Sequence, residues 1–360
     1  MISLVAFLII FGILIIVHEF GHFIVAKLQG VKVERFSIGF GPPLLKKKKK
    51  DTEYTVNAVP LGGYVKLAGD NLEEFHKESY EYLAKTPLQR ATIIFSGPFL
   101  NYISAFLFFW LIFFIGFPTL STKVGALIEG YGAKEAGIQV GDKIISVDGN
   151  KVDSFEDVQK IIYSKEGVSS VRVVVLRGNK EEAVDVRLKQ KQLEDQMGQK
   201  HSIGLLGISP DFSQLITLRY GFWKSFILSA QKTWDITVIT CKAIWRMITG
   251  KLSLRESVAG PLGIYYITAK AVSLGIISVL NLIGLLSVSL AIFNLLPLPL
   301  LDGGHLLLLI IERIRGKYLS LKAERIITQV GFTIIISLAV FVTYNDILRL
   351  FGDKISRFFK

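Results

Sequence analysis

The sequence is poor in cysteine and in charge. A single cysteine among 360 residues, Cys241, cannot close an internal disulfide, which excludes a small secreted domain stapled by bridges. A free cysteine usually behaves as a small apolar residue, so Cys241 is expected to be buried. Charged residues make up only 20 % of the chain and hydrophobic ones 51 %, with a mean hydropathy of +0.46. That balance excludes a disordered chain and a freely soluble enzyme and leaves a membrane protein. Lysine and arginine total 42 against 30 acidic residues, a net charge of +12. The basic residues are spread along the chain, and the longest run, Lys46 to Lys50, sits between apolar segments. Membrane sidedness explains the excess, and no nucleic-acid partner is implied.

Four stretches are long and apolar enough to cross a bilayer: residues 1–26, 91–117, 276–312 (apolar through 301) and 326–345. The first 17 residues carry no charge, no basic segment precedes them and no small-residue cleavage site follows, so a spanning helix is expected rather than a removed leader. Residues 216–275 read as an amphipathic surface helix and a linker. Trp223, Ile227, Ala230, Trp234, Val238, Cys241, Trp245 and Ile248 recur at steps of three and four, with Lys224, Lys232, Asp235, Lys242 and Arg246 between them. The loop 27–90 holds 12 lysines and arginines and the short loop 313–325 holds five, so both are expected in the cytosol. The N-terminus, residues 118 to about 275 (with the PDZ-like segment at 118–215) and the tail 346–360 are then expected to face outward.

Between residues 118 and 220 basic and acidic residues balance at 14 each, as in an ordinary folded domain. A strand at Val124 to Ile128 is followed by a glycine-punctuated loop and GDKIISVDG at 141–149. Ser154 and Asp157 predict a helix start, and SVRVVVLR, a Gly178-Asn179 turn and EEAVDVRLK predict a closing hairpin. This order resembles a permuted bacterial PDZ domain. In the cytosolic loop, alternation of Phe36, Ile38 and Phe40 and of Tyr54, Val56 and Ala58 predicts another hairpin, with the five lysines at its tip.

The first span contains HEFGH. His18 and His22 lie one helical turn apart on a single face, so both imidazoles can reach one zinc ion, and the adjacent Glu19 carboxylate can take a proton from water. Ionisable groups within a span are costly enough to mark function. Catalytic zinc takes a third protein ligand, and NLLPLPLLDGGH offers Asp302 and His305 at a similar depth. His76 and His201 read as surface residues. Pro297 and Pro299 forbid a regular helix before Asp302, and irregular backbone at membrane depth is tolerated where it lines a protein cavity. Asn294 either caps the broken helix or binds an extended substrate. His305 is expected either to support a ligand from behind or to be structural.

HEFGH, FSIGFG, PLGGYVKL, SGPFLN at 96–101, the PDZ-like segment and NLLPLPLLDGG together resemble the bacterial site-2 proteases, intramembrane zinc metalloproteases of the sigma-E regulator type, over essentially the whole chain. The resemblance implies His18, His22 and Asp302 as zinc ligands, Glu19 as general base, Asn294 near the substrate backbone, and residues 32–68 as a membrane-associated hairpin beside the site. It implies residence in the bacterial cytoplasmic membrane and cleavage of transmembrane segments of anti-sigma factors or remnant signal peptides. Relatives often carry a second asparagine where this chain has Ser289, and some carry two PDZ domains.

The expected fold is a polytopic α-helical membrane protein of about four transmembrane helices, with a membrane-associated β-hairpin and one α+β PDZ-like domain. A substrate strand needs an exposed edge with close backbone approach, and Gly62, Gly63, Tyr64 and Val65 offer one, although Gly62 and Gly63 also suit an ordinary turn. A zinc transporter and an inactive PDZ adaptor are the competing functions.

Overall fold

The computed structural model describes residues 2–194 and 200–358. Its elements begin with α1 (Ile2–Leu28), β1 (Val33–Lys49), β2 (Thr52–Leu67), α2 (Pro87–Ile115), β3 (Phe117–Leu120), β4 (Val124–Leu127), α3 (Gly132–Glu135), β5 (Lys143–Val147), β6 (Asn150–Lys151) and α4 (Phe155–Tyr163). They continue with β7 (Ser170–Arg177), β8 (Lys180–Arg187), β9 (Lys189–Glu194), β10 (Lys200–Leu205), β11 (Ile208–Pro210) and β12 (Leu215–Leu218). The helices α5 (Phe222–Ile248), α6 (Leu254–Ser257), α7 (Pro261–Ser273), α8 (Ile276–Asn294), α9 (Asp302–Arg315) and α10 (Leu321–Phe358) complete the described chain. Two compact units result: Met1–Trp110 with Ile227–Trp245 and Ser253–Lys360, and Leu111–Phe226 with Arg246–Leu252.

In the first unit, four helices are long and apolar enough to cross a membrane: Ile2–Leu28, Pro87–Ile115, Ile276–Asn294 and Leu321–Phe351. Ile10 and Leu14 of α1 pack with Ala271 of α7 and Leu282 and Ile283 of α8. Near the C-terminal end of α1, Ala26 and Val31 pack with Val33, Leu67 and Ile93. The expected span 276–312 is two helices, because Pro297 and Pro299 interrupt it and α9 restarts at Asp302. The span 326–345 and the tail 346–360 are one helix through Phe358, since nothing between them breaks a helix. The expected linker before residue 276 contains α7, whose N-terminus is held from α10: Gly260 and Gly263 donate their N–H groups to the buried Asp346 carboxylate at 3.1 and 2.7 Å. Arg90 of α2 bonds Glu312 of α9 at 3.1 Å between the Tyr82 and Tyr318 rings, tying the far end of α9 to α2.

The face that α5 buries is not its apolar stripe. Ser225, Ser229 and Thr233, four residues apart, are buried, and Thr237 bonds the Tyr102 hydroxyl of α2 at 3.1 Å. Trp234, Trp245 and Ile248 are exposed, and so is Cys241, contrary to its expected burial, because it belongs to this outer stripe.

The ribbon β1–β2 is more than a hairpin. Its register from Lys49–Thr52 to Pro43–Asn57 and from Val33–Leu67 to Ile38–Gly63 runs antiparallel, while Arg35 to Ile38 also lie beside Glu53 to Val56. Each long strand therefore folds back at its middle, at Gly39 (φ +85°), Gly41 (φ +87°) and Gly62 (φ +115°), glycines that accept the left-handed backbone. The segment order across the sheet is 43–49, 52–57, 33–38, 63–67. Lys46 to Lys49 accordingly lie within an edge strand, and only Lys50 of the five is at the tip. The other edge, 63–67, has no strand partner on its free side among the described residues.

The second unit holds the four-stranded sheet β6-β5-β7-β8. Val171, Val173 and Val175 of β7 are buried while Arg172 between them is exposed, the alternation of a one-sided sheet. Ser154 and Asp157 make a capping box at the start of α4, as their spacing predicted. Buried Asp142 receives Arg177 Nε and Nη2 at 2.9 and 2.7 Å, and this pair holds its carboxyl below the ordinary aspartate range.

Candidate metal centre

His18 and His22 project from one face of α1, with their Nε2 atoms 3.2 Å apart. Asp302, in the first turn of α9, brings Oδ2 to 3.1 Å from His18 Nε2 and Oδ1 to 3.6 Å from His22 Nε2. One ligand atom from each of the three residues lies within 4.8 Å of the others. His22 Nδ1 donates to the Ile93 carbonyl at 2.8 Å; a carbonyl only accepts, so His22 Nε2 keeps its lone pair. Asp302 Oδ2 is buried and accepts no hydrogen bond, although His18 Nε2 is 3.1 Å away. Lone pairs facing one another across such short distances repel unless a cation lies between them. Two imidazole nitrogens and one carboxylate with an open fourth position is the donor set of catalytic zinc, so the residues fit that ion.

The packing around these ligands is tight. A Cβ on Gly21 of α1 would lie 2.3 Å from the Ser96 carbonyl oxygen, and one on Gly97 would lie 2.3 Å from His22 Nε2. Glycine at both positions lets α2 pass directly against the HEFGH turn. On the other side, Gly303 and Gly304 bring the carbonyls of Leu295 and Leu298 down onto the start of α9, where a Cβ would sit 2.2 and 2.1 Å from them. Leu300, between the two proline turns and Asp302, adopts φ +73°, a strained value for a β-carbon residue. His305 is exposed and lies outside the cluster of His18, His22 and Asp302.

Glu19 lies beside the ribbon edge. Its carboxyl lies near the Val65 backbone, and a Cβ on Gly63 would be 3.4 Å from its Cγ. Gly63, Tyr64 and Val65 fall on the edge segment, whereas Gly62 sits in the bend against Phe40; Tyr64 is engaged elsewhere, its hydroxyl accepting Arg35 at 3.1 Å and its ring stacking on Phe40 at 6.2 Å. Asn294 is the last residue of α8 and half-buried, and among the described residues no side-chain hydrogen bond involves it. His76 is exposed and pairs with Glu81, as a surface histidine should.

The sequence pattern of peptidase family M50 matches residues 6–338. The chain belongs to this family. A Campylobacter jejuni protein named as a zinc metalloprotease is 33 % identical over 98 % of this chain and 95 % of its own length. The regulator of sigma E protease of Haemophilus influenzae is 28 % identical over 97 % of this chain and 99 % of its own, and the zinc metalloprotease RasP of Oceanobacillus iheyensis is 28 % identical over 98 % and 100 %. A quarter of the chain is similar to the PDZ domain of an SdrC-like protein from Listeria innocua, at 27 % identity and a TM-score of 0.20, covering 92 % of that domain. This M50 peptidase is an intramembrane zinc metalloprotease with zinc as its cofactor, and neither a transporter nor an inactive adaptor is favoured.

Two neighbours of the ligands escaped the sequence reading. Gly97 and Asn101 lie in SGPFLN, which had served only for resemblance. Asn101, fully buried, has its amide 3.3 Å from His18 Nδ1. An uncharged amide in the middle of an apolar span was the available signal.

Proposed function

We propose that this M50 peptidase cuts transmembrane segments, with His18, His22 and Asp302 holding zinc and Glu19 as general base. The observation that carries the proposal is the convergence of three ligand atoms within 4.8 Å beside a carboxylate that ligation leaves over. Bound zinc supplies a Lewis acid that activates water and polarises the scissile carbonyl. Glu19 takes the proton of the attacking water and delivers it to the leaving amine. A helical substrate must first unwind, and its freed N–H and C=O groups then need partners in a low-dielectric setting. The edge 63–67 offers them by strand addition. The approach of Glu19 to Gly63 and to the Val65 backbone supports this, because residues 63 and 65 then share the side that faces the base, by the two-residue alternation of a strand. Asn294, with no side-chain bond of its own among the described residues, is available to the substrate backbone.

The membrane is the bacterial cytoplasmic membrane, with loops 27–90 and 313–325 in the cytosol and residues 118–215 outside, a PDZ-like domain that filters substrates by the bulk of their outer parts. Lysine and arginine asymmetry supports that orientation. Substrates of the anti-sigma-factor or signal-peptide-remnant class fit it. The test is reconstitution with such a transmembrane substrate. Wild type should cleave it, Glu19→Gln should retain zinc and not cleave, and Asp302→Ala should lose both; proteolysis by zinc-loaded Glu19→Gln protein would refute the mechanism.

A further inference from the structure

We infer that Asn101 is the positioning residue for His18: its Oδ1 accepts the His18 Nδ1–H and so keeps the Nε2 lone pair aimed at the cation. This rests on the reading above that His18 is a zinc ligand. The amide is fully buried, and its nitrogen is placed 3.3 Å from His18 Nδ1 with Oδ1 left unpartnered; the two ends of an amide have the same shape, so its partners decide which end faces the ring. An amide buried without a partner is costly, so its place demands a reason.

The two orientations of the amide are isosteric and have opposite consequences. With Nδ2 toward the ring, the amide donates to a lone pair on Nδ1, and the neutral imidazole must then carry its proton on Nε2. That proton would point at Asp302 Oδ2 and His22 Nε2, the atoms 3.1 and 3.2 Å away, and would block ligation. Oδ1 would also be buried without a donor, as it is when Nδ2 takes the bond. With Oδ1 toward the ring, Nδ1 donates, Nε2 is free, and the oxygen has its partner. His22 already uses this arrangement, its Nδ1–H resting on the Ile93 carbonyl. Both acceptors sit on α2, so one helix fixes the tautomer of both imidazoles, once through its backbone and once through a side chain. Such outer partners of a ligating histidine are worth about 10- to 100-fold in metal affinity.

The test uses the full-length chain in detergent and reads zinc affinity by chelator competition, together with the visible spectrum of the cobalt-substituted protein. Asn101→Leu keeps the volume and removes the acceptor; it should weaken zinc by about 10- to 100-fold and alter the cobalt bands. Asn101→Asp keeps an acceptor and has no amide donor; it should restore affinity to within about threefold of wild type, a rescue that a packing role would not produce. Thermal unfolding of the zinc-free proteins shows whether a variant is folded. Equal affinity and unchanged cobalt bands in folded Asn101→Leu, or failure of Asn101→Asp to rescue, would overturn the inference. His18→Ala separates the two claims: if it retains wild-type zinc affinity, the ligand set itself falls; if it loses zinc while Asn101→Leu does not, only the role of Asn101 falls.

Discussion

Gly21→Ala should cripple the enzyme although it adds a single methyl group. The new Cβ would stand 2.3 Å from the Ser96 oxygen, 2.7 Å from its carbonyl carbon and 2.9 Å from Gly97 Cα. All three are backbone atoms of α2, so no rotamer change relieves the overlap. Ordinary contact begins near 3.4 Å, and α2 must therefore recede by about 1 Å. Overpacking of this kind costs about 1–3 kcal/mol of stability. The larger effect falls on the site. α2 carries the Ile93 carbonyl that holds His22 at 2.8 Å and the amide that meets His18 at 3.3 Å, and a shift of 1 Å takes both beyond hydrogen-bond range. Displacement of a catalytic group by about 1 Å costs on the order of 100-fold in rate. Gly12 on the same helix supplies the control: nothing lies within 4 Å of its Cβ position, so Gly12→Ala should gain the helix propensity of alanine, up to about 1 kcal/mol, and keep its activity. The assay is cleavage of a transmembrane substrate in proteoliposomes, with thermal unfolding and zinc content measured on the same preparations. Cleavage by Gly21→Ala within threefold of wild type would refute the argument that glycine is there to let α2 reach the ligands.

Val65→Pro removes a donor of the free edge beside Glu19, and should lower cleavage of intact transmembrane substrates by about 100-fold with zinc retained; unchanged cleavage would remove this edge from the mechanism. Asp142→Asn should destabilise the unit around β5 and β7 by about 2 kcal/mol, seen as faster hydrogen exchange in residues 143–187, because it breaks the bonds with Arg177. The folded carboxyl titrates below its unfolded value, so its contribution is present above the unfolded value near pH 4 and is lost as pH falls further through the lowered one; protection relative to the intrinsic exchange rate should therefore fall in wild type only in acid, and a fall already at pH 6 would contradict this. Removal of residues 124–189 should admit substrates with bulky outer parts without slowing trimmed ones; retained selectivity would assign the filter elsewhere, to the α5 helix first.

Local chemistry made the ligand set legible. HEFGH puts two imidazoles on one helical face by spacing alone, and Pro297 with Pro299 broke a span where Asp302 then appears at the start of α9. The four long apolar helices were equally readable, since a bilayer demands about 20 apolar residues and little else does. The capping box at Ser154 was local for the same reason. What failed were features decided by packing at a distance. The stripe on α5 is exposed, as on a surface helix, but its Cys241 is exposed with it, and the spacing did not show that small Ser225, Ser229 and Thr233 form the buried face because they allow close approach. α7 was hidden in a linker because its N-terminus depends on Asp346, more than 80 residues away along the chain.

The ribbon shows most clearly why alternation underdetermines a sheet. Phe36, Ile38, Tyr54 and Val56 have the period of paired strands, and they are paired, but the same residues also face second partners because each strand doubles back. Nothing in a two-residue period distinguishes a long hairpin from one folded in half; only the glycines at 39, 41 and 62 carry that information, through their positive φ. The difference matters chemically. In a straight hairpin with its lysines at the tip, 33–38 would pair only with 63–67, and 53–56 would lie further along the ribbon. Folded back, the ribbon sets 63–67 at an edge with one side paired to 33–38 and the other turned to Glu19. Fold and chemistry therefore meet in the same residues: the bend closes the other side of 33–38 with 53–56, and 63–67 is left as the open edge beside the group that takes the proton.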